Sequence, residues 1–261
     1  MRLAIDPDPQ AGAFFDLDNT LMRGHSLFLL ARGLYRRGFF SRRQVARFAL
    51  AQARFRLYGR EEAHEIDALR ETALSFVAGQ QVDDLRRIGN EIYQESIANS
   101  LWEETMSLAQ QHIQAGQRVW LVTATPIEVA ELLASKLGLT GALGTVAEMQ
   151  DGRYTGQLVG PILHGQAKAD AVKTLATQEG FDLSKCSAYS DSSNDMPLLS
   201  IVGYPCAINP DGKLKRHAKA NGWRIHDFRS GRRFAKLMGP FVALGGAIMG
   251  GIWRRKRKPT E

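Results

Sequence analysis

From Arg118 onward, short apolar runs alternate with segments of helical periodicity, and nothing else in the chain restricts the fold as strongly. Arg118-Val-Trp-Leu-Val-Thr123 and residues 141–146, 186–190 and 204–208 read as strands; residues 127–137 and 166–178 read as helices, and Met196 opens another. Asp151-Gly152 between two strand-like runs signals a hairpin within 148–160. Strands separated by helices pair in parallel. The expected fold class is therefore α/β, a doubly wound and mostly parallel sheet whose ligands bind beyond the carboxyl ends of the strands. An earlier buried strand, Ala13-Phe14-Phe15, precedes a long stretch without strand signals. That stretch reads as helices at 27–37, 42–58, 63–77 and 83–97, with breaks at Gly38, Gly59 and Gly79, followed by a helix at 105–114. A helix-bundle subdomain inserted directly after the first strand is expected.

Four polar elements stand at or just after strand ends. Asp16-Leu17-Asp18-Asn19-Thr20 and Asp191-Ser192-Ser193-Asn194-Asp195 each crowd two carboxylates at the exit of an apolar run. Like charges repel in a partly dry cleft, and a hard divalent cation offsets that repulsion. Thr123 ends a strand ahead of a helix opening at Pro126, where a hydroxyl and free amides can hold a phosphoryl oxygen. Lys168 lies three residues after Gly165, at the start of a helix. Each element alone is equally a helix cap, a turn or a solvated lysine; it is their combination that caps do not explain.

The order Asp16-x-Asp18-Asn19-Thr20, Thr123, Lys168, Asp191-x-x-Asn194-Asp195 resembles the four motifs of the haloacid dehalogenase-like (HAD) phosphohydrolases. The helical insertion after the first motif is similar to the cap of the phosphoserine-phosphatase-like branch, subfamily IB. The resemblance implies a HAD-like core at 13–24 and 106–227 and a helical cap at 25–105; the residues themselves read as a flexible leader at 1–12 and a basic tail at 228–261. The resemblance also implies a magnesium-dependent phosphomonoester hydrolase acting through an aspartyl-phosphate. Asp16 would be the nucleophile and Asp18 the general acid and base. Magnesium would bind the Asp16 and Asp191 side chains and the Asp18 backbone carbonyl, with Asn194 and Asp195 orienting its shell. Thr123 and Lys168 would hold the phosphoryl oxygens. No G-x-x-x-x-G-K-[ST] loop is present.

The chain departs from the phosphoserine phosphatases at two places. The family's Glu, which reads the substrate's amino group, is replaced by His25, and its Ser-Gly-Gly by Thr123-Ala124-Thr125. His25 and Thr125 are therefore candidate specificity residues, and the expected substrate is a small phosphorylated metabolite.

Charge distribution bears on partners. The net charge of +7 is concentrated at the C-terminus: residues 228–261 carry nine Lys or Arg and one acid, leaving 25 basic and 26 acidic residues in 1–227. A neutral body does not point to nucleic acid. Ten arginines and no acid lie between Asn19 and Arg60; of these, Arg54 and Arg56 are further substrate candidates, and the set could face an anionic lipid surface. Residues 238–253 form an uncharged run, as a helix about 24 Å long against a hydrocarbon core of about 30 Å. Hence two alternatives stay open: a phosphatase of a lipid phosphate at the membrane surface, and a non-catalytic membrane-associated module. Two cysteines, together with acids and prolines in the first dozen residues, lead to an expected cytoplasmic location, free or attached to the cytoplasmic face of a membrane. Oligomeric state is not readable.

Overall fold

Strands buried on both faces cannot alternate apolar with polar residues, so they read as unbroken apolar runs. β1 (Gly12–Phe15) is such a run, buried throughout. A computed structural model of the chain describes residues 5, 7–39 and 78–229. In it β1 lies mid-sheet, in parallel register with β2 (Arg118–Pro126) on one side and β6 (Ser187–Ser190) on the other. β3 (Gly141–Thr145) adds parallel outside β2, and β7 (Tyr204–Ile208) parallel outside β6. β8 (Arg224–His226) completes the order β3-β2-β1-β6-β7-β8. The chain steps one way from β1 to β3 and the other way from β6 to β8, so the topological switch point falls between β1 and β6. Ligands of such sheets bind there, outside the carboxyl ends. The two acidic clusters follow these two strands.

All but the last of the helices sit where the periodicity places them. They are α1 (Ser26–Arg36), α2 (Val82–Ile92), α3 (Glu103–Gln114), α4 (Ile127–Leu137), α5 (Gln166–Glu179), α6 (Met196–Ser200) and α7 (Gly212–Ala220). One face of the sheet carries Phe14, Val122 and Ala188 into a core with Val172, Leu175 and Leu198. The other stacks Phe15 on Tyr189, ring centroids 4.2 Å apart. The Asp-Gly hairpin joins β4 (Ala147–Gln150) to β5 (Arg153–Leu158), with both turn residues at positive φ, 51° and 74°, as a type I′ turn requires.

Three details differ from the sequence reading. β2 runs on past Thr123 to Pro126, its register with β3 shifting between Val122 and Pro126, because Thr145 donates to the Ala124 carbonyl at 2.7 Å and keeps the segment extended. The helix expected at 83–97 changes at Tyr93 into a π-helical turn, Tyr93–Ile97, and then a 3-10 turn, Ala98–Ser100. α7 and β8 were not read from the sequence at all. The helices expected at 42–58 and 63–77, with Arg54 and Arg56, lie outside the described residues, as does the uncharged run at 238–253. Among the described residues no helix is long and apolar enough to cross a membrane. The chain divides into two compact units, Met1–Ile225 and His226–Glu261.

The segments that lead into and out of the insertion are paired. The Arg23 amide donates to Ser100 O at 2.7 Å, and the Trp102 amide to Leu21 O at 2.8 Å. The Arg23 guanidinium donates to the carbonyls of Asn99, Ser100 and Leu101. α1 and α2 approach closely: a Cβ on Gly33 would lie 2.3 Å from Ile92 Cδ1. Arg37, one of the arginines considered for a lipid surface, instead bonds Glu91 and Glu95 at 2.7 and 2.5 Å.

Beneath the switch point, His112 on α3 joins Tyr189 OH through Nε2 and Gln117 Oε1 through Nδ1, both at 2.7 Å. Burial lowers its pKa, so the ring is neutral, donating from Nδ1 and accepting from the phenol. His112→Leu removes that acceptor from a buried hydroxyl. It is expected to destabilise the protein by about 1–3 kcal/mol in urea unfolding; an unchanged midpoint would refute the role.

Candidate active site

β1 and β6 deliver their carboxylates into one cleft, and the first turn of α5 brings a lysine into it. The short loop before α5 turns at Gly165, with φ 56° and ψ −120°, a conformation that glycine adopts without strain. Lys168 follows, 3% exposed rather than solvated. Its Nζ donates to Asp16 Oδ1 at 2.5 Å and to Asp195 Oδ2 at 2.8 Å. Thr20 donates to Asp16 Oδ2 at 3.1 Å, and the Asp16 amide to the Tyr189 carbonyl at 2.9 Å. Ser190 supplies Asp195 with a second donor at 2.7 Å.

Asp18 sits at the mouth, partly exposed. Its Oδ1 accepts from the Ser26 amide at 2.8 Å, at the start of α1, and its Oδ2 lies 3.7 Å from His25 Nδ1. The His25 side chain is 69% exposed. Thr123 is buried at the end of the regular part of β2 and shares a hydrogen bond with Thr125 at 2.9 Å. Thr125 in turn shares one with Ser26 at 2.8 Å. This chain of hydroxyls ties the second motif to the start of α1. Thr125, a specificity candidate in the sequence, is thus buried beside Thr123. Asn194 is exposed, its amide on Ser192 Oγ.

The sequence reading passed over Thr20, Ser26 and Ser190 as ligands of these groups, and also over Asn209 and Asp211 on the loop after β7. Asp211 accepts from the Ser193 amide at 2.6 Å and from the amides of Lys213 and Leu214 at the head of α7. Burial would raise its pKa, but those amides outweigh burial and hold it below the usual carboxylate range. The signal was present in Asn209-Pro210-Asp211-Gly212, a turn followed by a helix N-cap.

One ammonium faces three crowded carboxylates. Burial pushes Asp16 up to about 6; Lys168 pulls against this, and Asp195 and Asp18 add to it. Asp191 is pushed up to about 7 by burial and then by Asp16 and Asp195, against Lys168 and a hydrogen bond from Asn19. Burial disfavours the charge on Lys168, but Asp16 and Asp195 outweigh it and hold the ammonium above its ordinary pKa. Among the described residues no three His, Cys, Asp or Glu side chains form a ready-made metal cage. Magnesium needs none: it keeps several waters and takes one or two carboxylates. The hard oxygen donors and the excess negative charge fit such an ion, with Asp16, Asp191 and the Asp18 carbonyl able to hold it.

The raised values also set a pH dependence. Asp16 and Asp191 bind protons more tightly in the fold than in the unfolded chain, where the carboxyl value is near 3.8. Their contribution is fully present below that value and is lost as the pH rises through about 6 to 7. Without metal, these two groups are expected to lower the melting temperature progressively between about pH 4 and about pH 7, and Asp191→Asn to flatten that fall. An identical slope in the variant would refute the crowding.

Known proteins of similar sequence and structure bear on this geometry. The family model described as haloacid dehalogenase-like hydrolase matches residues 13–200. A protein of Mycobacterium tuberculosis named phosphoserine phosphatase SerB1 is 50% identical over 255 residues, covering 96% of this chain and 83% of that one. A histidinol-phosphatase of Neisseria meningitidis is 30% identical over 221 residues, covering 83% of this chain and 98% of its own. A crystal structure of a protein of unknown function from Bordetella pertussis superposes with a TM-score of 0.74 at 31% identity, covering 84% of this chain and 98% of that one. With its acidic turns at the switch point and the family model spanning both of them, the chain belongs to the haloacid dehalogenase-like hydrolases.

Proposed function

We propose that the protein is a phosphatase that hydrolyses the phosphomonoester of a small metabolite through an aspartyl-phosphate on Asp16. The observation that carries this reading is the placement of Lys168 Nζ between Asp16 and Asp195 in one buried cleft, with Asp18 at its mouth. The carboxylate of Asp16 attacks phosphorus as the bond from phosphorus to the substrate alcohol breaks, and Asp18 gives its proton to the departing oxygen. Asp18, now ionised, takes a proton from a water whose oxygen attacks the phosphorus. The bond to Asp16 then breaks, inorganic phosphate leaves, and both side chains return to their starting states. Lys168 offsets the charge that an incoming phosphate would meet at Asp16, and Thr123 with the amides at the head of α4 offers donors to the phosphoryl oxygens. Magnesium, when bound by Asp16, Asp191 and the Asp18 carbonyl, would supply positive charge against those oxygens.

Phosphoserine and histidinol phosphate, for which two relatives are named, are both primary phosphates with an amino group on the adjacent carbon. That class heads the substrate panel. His25, exposed beside Asp18, puts an imidazole where the phosphoserine phosphatases carry a Glu, so the amino group would be read by a different group here. The lipid-phosphate alternative draws on the arginines between Asn19 and Arg60 and on the 228–261 tail, of which residues 40–60 and 230–261 lie outside the described residues.

The test is phosphate release from phosphoserine, histidinol phosphate, glycerol phosphate and vesicle-embedded lysophosphatidate, with and without magnesium. The wild type is expected to turn over at least one soluble ester, and Asp16→Asn none, because a neutral amide is a poor nucleophile. Wild-type turnover in Asp16→Asn would overturn the mechanism. Hydrolysis confined to the vesicles would replace the soluble substrate with a lipid.

A further inference from the structure

We propose that the 209–211 loop after β7 sets the spacing between the two acidic turns, and that Asp211 is a positioning residue that keeps Asp191 presented to the divalent cation. The inference rests on the metal-dependent reading above and adds residues to it that lie outside the four motifs.

The loop touches both turns. Asn209, fully buried and at a φ of 48°, donates from Nδ2 to the Asn19 carbonyl at 3.2 Å, on the turn that carries Asp16 and Asp18. Two residues on, the Asp211 amide donates to the Asp191 carbonyl at 2.8 Å. The Asp211 carboxylate divides its work. Oδ1 accepts from Lys213 N at 2.8 Å and Leu214 N at 2.7 Å, capping α7, while Oδ2 accepts from Ser193 N at 2.6 Å. Asp191 is thus flanked by two tethers to the same residue, one at its own carbonyl and one two residues later. Asn209 ties the other acidic turn to the same rigid strand end. A cation shared between Asp16 and Asp191 is sensitive to the separation of their carboxylates. The loop after β7 fixes that separation from behind, without itself touching the ion.

The division of labour between the two oxygens permits a selective test. Asparagine caps a helix as well as aspartate does. In Asp211→Asn the single amide oxygen can keep the α7 cap, but the amide nitrogen then faces the Ser193 N–H, donor against donor. A purely structural capping role predicts no change. The positioning role predicts that the magnesium dissociation constant, measured by calorimetry on the full chain, rises roughly tenfold or more, as for other groups that orient metal ligands. Circular dichroism should stay as in the wild type.

Ser193→Pro attacks the same tether from the other side. Ser193 opens the 3-10 turn Ser193–Asp195 after Ser192, whose φ of −106° and ψ of 137° suit a residue before proline. This variant deletes the donor and leaves Asp211 intact, so it carries the test alone should Asp211→Asn fail to fold. It is expected to weaken magnesium binding by a similar factor, and the double variant no further than either single one. Wild-type magnesium affinity in Asp211→Asn or in Ser193→Pro would overturn the inference, as would additive losses in the double variant. A wild type that binds magnesium yet releases no phosphate from any ester would overturn the phosphatase reading and leave this one standing.

Discussion

Several buried carboxylates cannot share a cleft unless something positive is put among them, and the architecture is arranged around that requirement. Asp16 and Asp195 meet on the Lys168 ammonium, and Asp191 stands close enough to feel both. Breaking a buried pair of this kind strands a charge in a dry environment and is typically worth about 3–5 kcal/mol. The lysine therefore belongs to stability as much as to chemistry. Its single charge does not balance the acids, and the remaining imbalance shows in the raised values of Asp16 and Asp191. This surplus of negative charge costs stability, and it is what the proposed cation and phosphoryl group would meet.

The order of the strands makes the crowding possible. β1 and β6 are neighbours in space although far apart in sequence, and each ends in an acidic turn at the point where the sheet's winding reverses. The turns are held by polar contacts from behind: Thr20 and Ser190 on the carboxylates, Ser26 on Asp18, and the loop after β7 on Asn19, Asp191 and Ser193. Below them the apolar pair Phe15 and Tyr189 is closed by a neutral histidine. Loops so anchored to a rigid sheet can carry reacting groups without the sheet having to move.

The insertion is joined to this site through α1. The Ser26 amide binds Asp18, the Ser26 hydroxyl binds Thr125, and the two connecting segments are stapled by Arg23.

Much of this was legible in the chain itself, and the limits have physical causes. Buried parallel strands show as unbroken apolar runs, and turn chemistry is local, so β1, β2, β6, β7, the Asp151-Gly152 hairpin and both acidic turns could be read off directly. Helix α4 was placed by its periodicity for the same reason. Lys168 reads in isolation as a surface residue, because what buries it is a carboxylate 152 positions away. Thr125, a specificity candidate in the sequence, is part of a buried hydroxyl chain, and His112, which no motif marks, holds the Tyr189 hydroxyl beneath the site. Asp211 carried only the signal of a helix cap, its second oxygen meaningful once β7 lies beside β6. Local periodicity and turn preference depend on neighbours in the chain, and these the sequence determines alone. Which distant groups come to share a cleft, and with what charge, depends on strand order and register, and only the folded sheet decided that.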